Sequence, residues 1–255
     1  MSTLRQAAVH AVPIALAMAA WTAAAHWFGA ALVPGPLDTL RHTLAMLGQG
    51  DTWRHICVTV YRGSAGLLGA AALAYLLGIP CGLSRTAMRM VTPLVTALQS
   101  CPPIVWISLL LVWAGVGATV PVLVVAAAAF PVLFLNLAQG TAAIDRGLFA
   151  MARVYRLPRR VVLRQIILPG TSRYALAAFS FALGVTWKVT ATAEFFGAAD
   201  GIGARIFWTY RLLDMQALFG WTLIIIAIGT ILEAGLIQPL RERLRNEDDK
   251  GGPDR

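Results

Sequence analysis

The stretch MARVYRLPRRVVLRQIILPG, Met151 to Gly170, interrupts a chain that is otherwise largely apolar. It gathers Arg153, Arg156, Arg159, Arg160 and Arg164 and holds no acidic side chain. Apolar runs at 119–139 and 174–196 flank it, each long enough to cross a hydrocarbon core about 30 Å thick. Working outward, four more such runs appear at 11–33, 63–83, 91–114 and 217–239. Lipid offers no partner to backbone N–H and C=O groups, so each run is predicted to be a helix. The expected fold is an all-α integral membrane protein with six transmembrane helices and a pair of short helices between the fourth and fifth. Residues 1–10 are read as an N-terminal segment, 11–240 as the spanning domain with the helix pair within 140–173, and 241–255 as a polar tail.

Composition supports this. The 255 residues are 58% hydrophobic and 13% charged, with a mean hydropathy of +0.70, whereas a soluble domain carries about 25% charged residues. That excludes an ordinary soluble enzyme. The formal net charge is +9, and its placement decides its meaning. With the N-terminus inside, fifteen of the 21 Lys and Arg residues fall in cytoplasmic segments and five in outer ones, leaving Lys188 alone within a span. This asymmetry sets N- and C-termini in the cytoplasm, and the basic excess reads as topology rather than as a nucleic-acid footprint. Trp27, Trp53, Trp113, Trp208 and Trp221 then fall near the outer interface, where an indole buries its ring and keeps its N–H wet. The first apolar run is too long for a secretory signal, so no cleaved leader is expected. Cys57, Cys81 and Cys101 lack a disulfide or metal pattern and are read as buried thiols; His10, His26, His42 and His55 show no ligand spacing.

Within the basic segment, Leu148, Met151, Ala152 and Tyr155 recur at helical spacing. Pro158 cannot continue that helix but suits the first turn of a second one, on which Val161, Val162, Gln165 and Ile166 form an apolar stripe. Leu168-Pro169-Gly170 is expected to break the run before the fifth span. Two short helices with an apolar and a basic face form either a docking device or an interfacial pair resting on anionic lipid.

The run GTAAIDRGLFAMARVYRLPRRVVLRQIILPG resembles the cytoplasmic signature of binding-protein-dependent ABC importer permeases, E-A-A, three residues, G, nine residues, I-x-L-P. Ala152-Arg153, Ile166, Leu168, Pro169 and Gly170 fit it. CPPIVWISLLLVWAGVG (101–117) resembles the family's P-P-x-A-W-x-P-L span, and FPVLFLNLAQG (130–140) the stretch before the signature. SFALGVTWKVTATAEFFGAADGIG (180–203) resembles the segment G-x-x-W-x-x-x-x-x-A-E, then G-x-G, of the nitrate/sulfonate/taurine branch. The resemblance covers roughly residues 50–245 and implies a permease of the type I importer fold in a bacterial inner membrane. Leu148, Ala150, Met151, Ala152, Arg153, Tyr155, Arg156, Leu157, Pro158, Leu168, Pro169 and Gly170 would then couple to an ATPase. Two departures stand out: Ala150 replaces the signature Glu and Arg156 its Gly. Without glycine, φ > 0 is costly, so a shifted turn, made through Pro158, is expected.

The resemblance implies two permease copies, two cytoplasmic ABC ATPase subunits and a periplasmic or lipid-anchored solute-binding protein, in a membrane and without nucleic acid. No cofactor belongs to this chain, and the ATP and Mg would sit on the ATPase. Consistently, neither Lys188 nor Lys250 lies in G-x-x-x-x-G-K-[ST], so the chain cannot hydrolyse ATP by that motif.

An ionisable residue within a span costs ~2.5–3.5 kcal/mol or more and is a functional candidate by default. Lys188 and Glu194 lie six residues apart on the fifth span, hence about 240° apart around it. Lys188 either attracts an anionic substrate or snorkels or pairs; Glu194 either gates the path or serves as a structural hydrogen-bonding group. Glu233, near the end of the sixth span, is expected to reach water. Trp106 and Trp187 either line the path or pack, with packing favoured. Gly63, Gly66, Gly69, Gly78 and Gly82 are packing positions. Gly201, Gly203 and Arg205, with Asp200, Arg211 and Asp214 near them, are read as a loop that the binding protein touches.

Two other readings remain open. The scaffold of an energy-coupling-factor importer also carries Ala-Arg helices. An intramembrane hydrolase using Ser64 would need a base within hydrogen-bond reach, and the histidines, all within the first 55 residues, leave none opposite it.

Overall fold

The computed structural model describes residues 2–232, 234–235 and 238–239, with side chains from residue 12 onward. The described chain is helical: α1 (Ser2–Phe28), α2 (Pro36–Leu47), α3 (Gly50–Leu83), α4 (Arg85–Ser100), α5 (Pro103–Ala114), α6 (Thr119–Ala142), α7 (Arg146–Val154), α8 (Arg159–Val162), α9 (Leu168–Gly197), α10 (Ile202–Arg211) and α11 (Met215–Leu232). A π-helical turn, Leu163–Ile167, joins α8 to α9. Among the described residues, four helical stretches are long and apolar enough to span a membrane, five if the bent pair α4–α5 counts as one, and Val12–Phe28 is a shorter apolar helix. Glu233 and the tail from Arg241 lie outside the described residues.

The core is a parallel pair, α3 and α6, with α9 packed antiparallel beside them. Small residues set the α3–α6 distance: a Cβ on Gly66 would come within 2.6 Å of the Val122 carbonyl and 2.7 Å of Val125 Cβ, and one on Gly78 within 3.2 Å of Leu137. Glycine at such positions lets backbones touch where no hydrophobic effect drives helices together. Gly69 faces open space and serves no such contact. Leu67, Ala70 and Ala74 of α3, Leu133, Phe134 and Leu137 of α6, and Ala175, Ala178 and Ala182 of α9 fill one buried cluster. At one end α7 and α8 fold beneath Ile79 and Ile144; at the other, α10 tucks between α9, α3 and α11.

The spans differ from the expected ones in three respects. The second begins at Gly50, not near residue 63, so α3 is about 51 Å long at 1.5 Å per residue. The third, expected at 91–114, is two helices bent by 91°. Cys101 and Pro102 each precede a proline, which disfavours αR; they adopt ψ 120° and 142°, and Pro103 starts α5 where its missing N–H loses no bond. The third difference is at Leu168-Pro169-Gly170, which does not break the chain, since helix runs from Arg159 to Gly197. In the preceding turn Leu168 N–H bonds Leu163 O, a π-type bond, and the helix passes Pro169 through that looser turn, a common place for helix irregularity.

Two environments also differ from expectation. Trp221 is 2% exposed, packed inside rather than at an interface, while Trp27, Trp53, Trp113 and Trp208 are exposed. Cys57 is exposed, and Cys81 and Cys101 are half-buried.

Candidate functional site

Three places concentrate chemistry. The first is the segment from Asp145 to Leu157. Asp145 caps α7, its Oδ1 accepting from Gly147 N–H at 2.8 Å. The helix ends with Arg156 N–H on Arg153 O (3.1 Å) and Leu157 N–H on Ala152 O (2.9 Å), while Arg156 itself has φ +49°. This is a Schellman motif, with its left-handed position filled by arginine and its usual apolar contact made by Leu157 and Ala152. The expected shifted turn is therefore corrected. The turn stays at residue 156, its two hydrogen bonds and the Leu157 contact offsetting a left-handed non-glycine cost of about 1–2 kcal/mol.

The expected apolar stripe divides. Ala152 points inward with Phe149 and Leu157, onto Ile144, Ile166 and Ile167. Leu148, Met151 and Tyr155 point outward, 41%, 45% and 71% exposed, beside exposed Ala150, Arg153, Arg156 and Pro158. Leu168 and Pro169 are exposed on the adjoining turn. Gly170 lets α9 approach α6's end, since a Cβ there would come within 2.9 Å of Ile144.

The second place, at the α10 end, is a buried polar knot around Glu194, which is 0% exposed. Its carboxylate accepts from Thr59 Oγ1 (2.7 Å), Arg62 Nη1 (3.1 Å) and Gly203 N–H (3.1 Å). Arg62, itself 4% exposed, also donates to the Asp200 carbonyl at 2.7 Å and to the Asp200 carboxylate. Thr59 Oγ1 accepts from Ile202 N–H at 2.8 Å, and His55 Nδ1 from Gly201 N–H at 3.0 Å. The Nε2 of His55 then carries the hydrogen and faces Asp51, 3.3 Å away. Glu194 therefore does not line an open path; it ties α3 to the α9–α10 connection.

Gly201 and Gly203, expected on a docking loop, are buried. Gly201 has φ +101°, and a side chain there would run into the Glu194 carboxylate; one at Gly203 would meet the Ala191 carbonyl. Asp200 belongs to the knot, and Arg205 lies over Trp221, 5.9 Å from the ring centre. Sequence reasoning found Glu194 and missed Arg62, Thr59 and His55. The available signal was the cost of a carboxylate in a span, which demands a cation; Arg62 supplies it, with the Thr59 hydroxyl one turn away as a second donor.

The third place is a cavity of about 460 Å³ between α9 and α11, lined by Phe181, Gly184, Lys188, Ile225, Gly229, Thr230 and their neighbours. Lys188 is exposed and Glu194 buried, on different faces of α9 as the helical-wheel angle indicates. No carboxylate among the described residues pairs with Lys188. Trp187 also lines the cavity; its ring packs between Gly63 and Gly229 and its buried Nε1–H has no acceptor among the described residues. Trp106 packs with Leu110 and Leu111 against α6 and α9.

Residues 74–237 match the family model of the binding-protein-dependent transport system inner membrane component. The chain is 27% identical over 217 residues to the taurine transport system permease protein TauC of Escherichia coli (83% of this chain, 78% of that one). It is 24% identical over 205 residues to the putative aliphatic sulfonates transport permease protein SsuC of Bacillus subtilis (80% and 74%), and 26% identical over 211 residues to the nitrate import permease protein NrtB of Synechococcus elongatus (78% and 75%). Among solved structures, an amino acid ABC transporter aligns with TM-score 0.59 at 18% identity over 82% of this chain and 97% of that one. The inward-facing MetNI methionine ABC transporter aligns with TM-score 0.56 at 15% identity over 72% and 93%.

Proposed function

The chain belongs to the family of binding-protein-dependent transport system inner membrane components, and we propose that it is the path-forming subunit of an ATP-driven importer. Two copies enclose the path in a bacterial inner membrane, with both termini in the cytoplasm. Each copy docks one ABC ATPase, which holds the ATP and Mg. A periplasmic or lipid-anchored binding protein delivers the solute, a small anionic or sulfonate-bearing compound of the aliphatic sulfonate, taurine or nitrate kind that the relatives' names give.

The observation that carries this reading is the outward face of α7. Leu148, Met151 and Tyr155 are exposed at i, i+3 and i+7 on a helix whose opposite face is packed onto the bundle and whose end is fixed by a Schellman turn. A rigid apolar stripe edged by arginine suits a protein groove, in which a few aromatic and aliphatic anchors carry most of the binding energy. Because Ala152 and Leu157 hold the inner face, a push on α7 would be transmitted to Ile144, just past α6, and to Ile166 and Ile167 in the π turn that leads into α9.

The test is Arg153→Asp with Tyr155→Asp, both exposed. Uptake is expected to fall at least tenfold with the protein still in the membrane, and ATP hydrolysis to lose its dependence on transport. Normal uptake would make α7 a helix resting on lipid and defeat the reading.

A further inference from the structure

Resting on the permease reading and the orientation it sets, we infer that the α9–α10 connection is latched to α3 through a proton-sensitive hydrogen bond, so that acid on the outer side releases that end of the bundle. The latch is one peptide group held at both of its ends. The peptide between Asp200 and Gly201 gives its carbonyl to Arg62 Nη1 at 2.7 Å and its N–H to His55 Nδ1 at 3.0 Å. Both holding side chains come from α3, and both are buried, His55 at 6% and Arg62 at 4% exposed. The next N–H, that of Ile202, goes to Thr59 on the same helix.

Only a neutral His55 can make this arrangement. Accepting at Nδ1 leaves the ring hydrogen on Nε2, 3.3 Å from Asp51 Oδ2. A second proton goes to Nδ1, and an imidazolium has no acceptor left. Its new N–H then faces the Gly201 N–H, donor against donor, and flipping the ring brings no relief because both nitrogens carry hydrogen. Turning the peptide instead takes its carbonyl from Arg62, and the Glu194 carboxylate fills the space beside Gly201. What is left is movement of the connection away from α3, driven by the cost of a buried N–H without an acceptor.

The charges around the ring are matched. On α3, Asp51 favours an imidazolium and Arg54 opposes it; Asp200 in the connection favours it and Arg205 on α10 opposes it. From α11 the ring meets uncharged Trp221 edge-on, with centroids 5.9 Å apart. The Nδ1 lone pair therefore decides the response. The latch weakens as pH falls below about 6.5, where a free imidazole takes up a proton, because the released state accepts the proton that the latched state has no place for. Protons reach the ring beside Asp51, whose side chain is 56% exposed and lines a cavity of about 250 Å³ with Arg205, His42 of α2 and Asp214.

The measurement is hydrogen exchange of the full chain in phosphatidylcholine nanodiscs, purified with whatever ATPase accompanies it, at pH 7.5 and pH 5.0. Each rate is expressed relative to an unstructured peptide at the same pH. Protection over residues 198–204 is expected to fall at least about tenfold at pH 5.0, while protection over 120–140 of α6 changes by less than about threefold. His55→Asn, whose amide oxygen accepts where Nδ1 does but does not titrate, should hold 198–204 within about threefold between the two pH values. His55→Leu, with no acceptor, should leave that segment weakly protected at both. Equal protection of 198–204 at both pH values in the unaltered chain, or the same fall in His55→Asn, would overturn the inference. A fall as large over 120–140 would be general acid unfolding and would overturn it as well. Failure of the latch with the ATPase still co-purifying leaves the permease reading standing; absence of the ATPase is the separate failure of that reading.

Discussion

Replacing Glu194 by Gln tests the buried knot with almost no change of shape. Glu194 Oε2 accepts from Thr59 and Gly203, and Oε1 from Arg62 Nη1. An amide can keep its oxygen toward Thr59 and Gly203, but then its NH₂ faces the guanidinium, donor against donor. The charge-assisted bond, about 1.5–3 kcal/mol, is lost, and Arg62 stays buried. Breaking a buried pair by removing one partner costs about 3–5 kcal/mol. Arg62 keeps the Asp200 carbonyl and carboxylate, so the lower end, about 3 kcal/mol, is expected. Arg62→Met should cost at least as much, because it leaves Glu194 a fully buried anion with only the Thr59 and Gly203 donors. The double variant should cost less than the sum by about 2 kcal/mol, as for residues in direct contact. The assay is SDS-titrated unfolding in mixed micelles, followed by tryptophan fluorescence, on all four proteins. Loss of under about 1 kcal/mol for Glu194→Gln, or strict additivity in the cycle, would refute the argument that the pair closes this end of the bundle.

Two further outcomes follow from the backbone. Gly66→Ala puts a methyl 2.6 Å from the Val122 carbonyl and should destabilise the α3–α6 pair by about 1–3 kcal/mol in the same titration, while Gly69→Ala, facing open space, should be neutral. Arg156→Gly relieves a left-handed arginine and should stabilise α7 by about 0.5–1 kcal/mol, read as a two- to fivefold slowing of hydrogen exchange over residues 146–157; unchanged exchange would mean that the residue carries no strain.

Much of this architecture could be read from composition, because a span needs only length and apolarity. Its breaks were legible in principle. Cys101-Pro102-Pro103 carries the 91° bend, yet hydropathy averages across it and gives one run. Leu168-Pro169-Gly170 misleads the other way, since the π turn before it carries the proline within a continuous helix. At Arg156 the expectation failed because the cost of a left-handed side chain was set against no gain, whereas Leu157 N–H on Ala152 O and the contact beneath it supply one. The knot lay beyond local pattern: Arg62 and Glu194 are 132 positions apart, and only packing α3 against α9 brings them together. Lys188 and Glu194 needed nothing more than the 100° step to be assigned different faces.

The most direct test of the account is what the chain holds in its native membrane. A tagged chain is extracted in mild detergent and its partners identified by mass spectrometry, beside a variant carrying Met151→Asp and Tyr155→Asp on the exposed face of α7. The account predicts an ATPase with a phosphate-binding loop in the first sample and its loss from the second, with equal amounts of the chain in both. An unaltered chain that brings no ATPase under any nucleotide condition, or a variant that retains it fully, would contradict the claim that α7 is where the motor pushes.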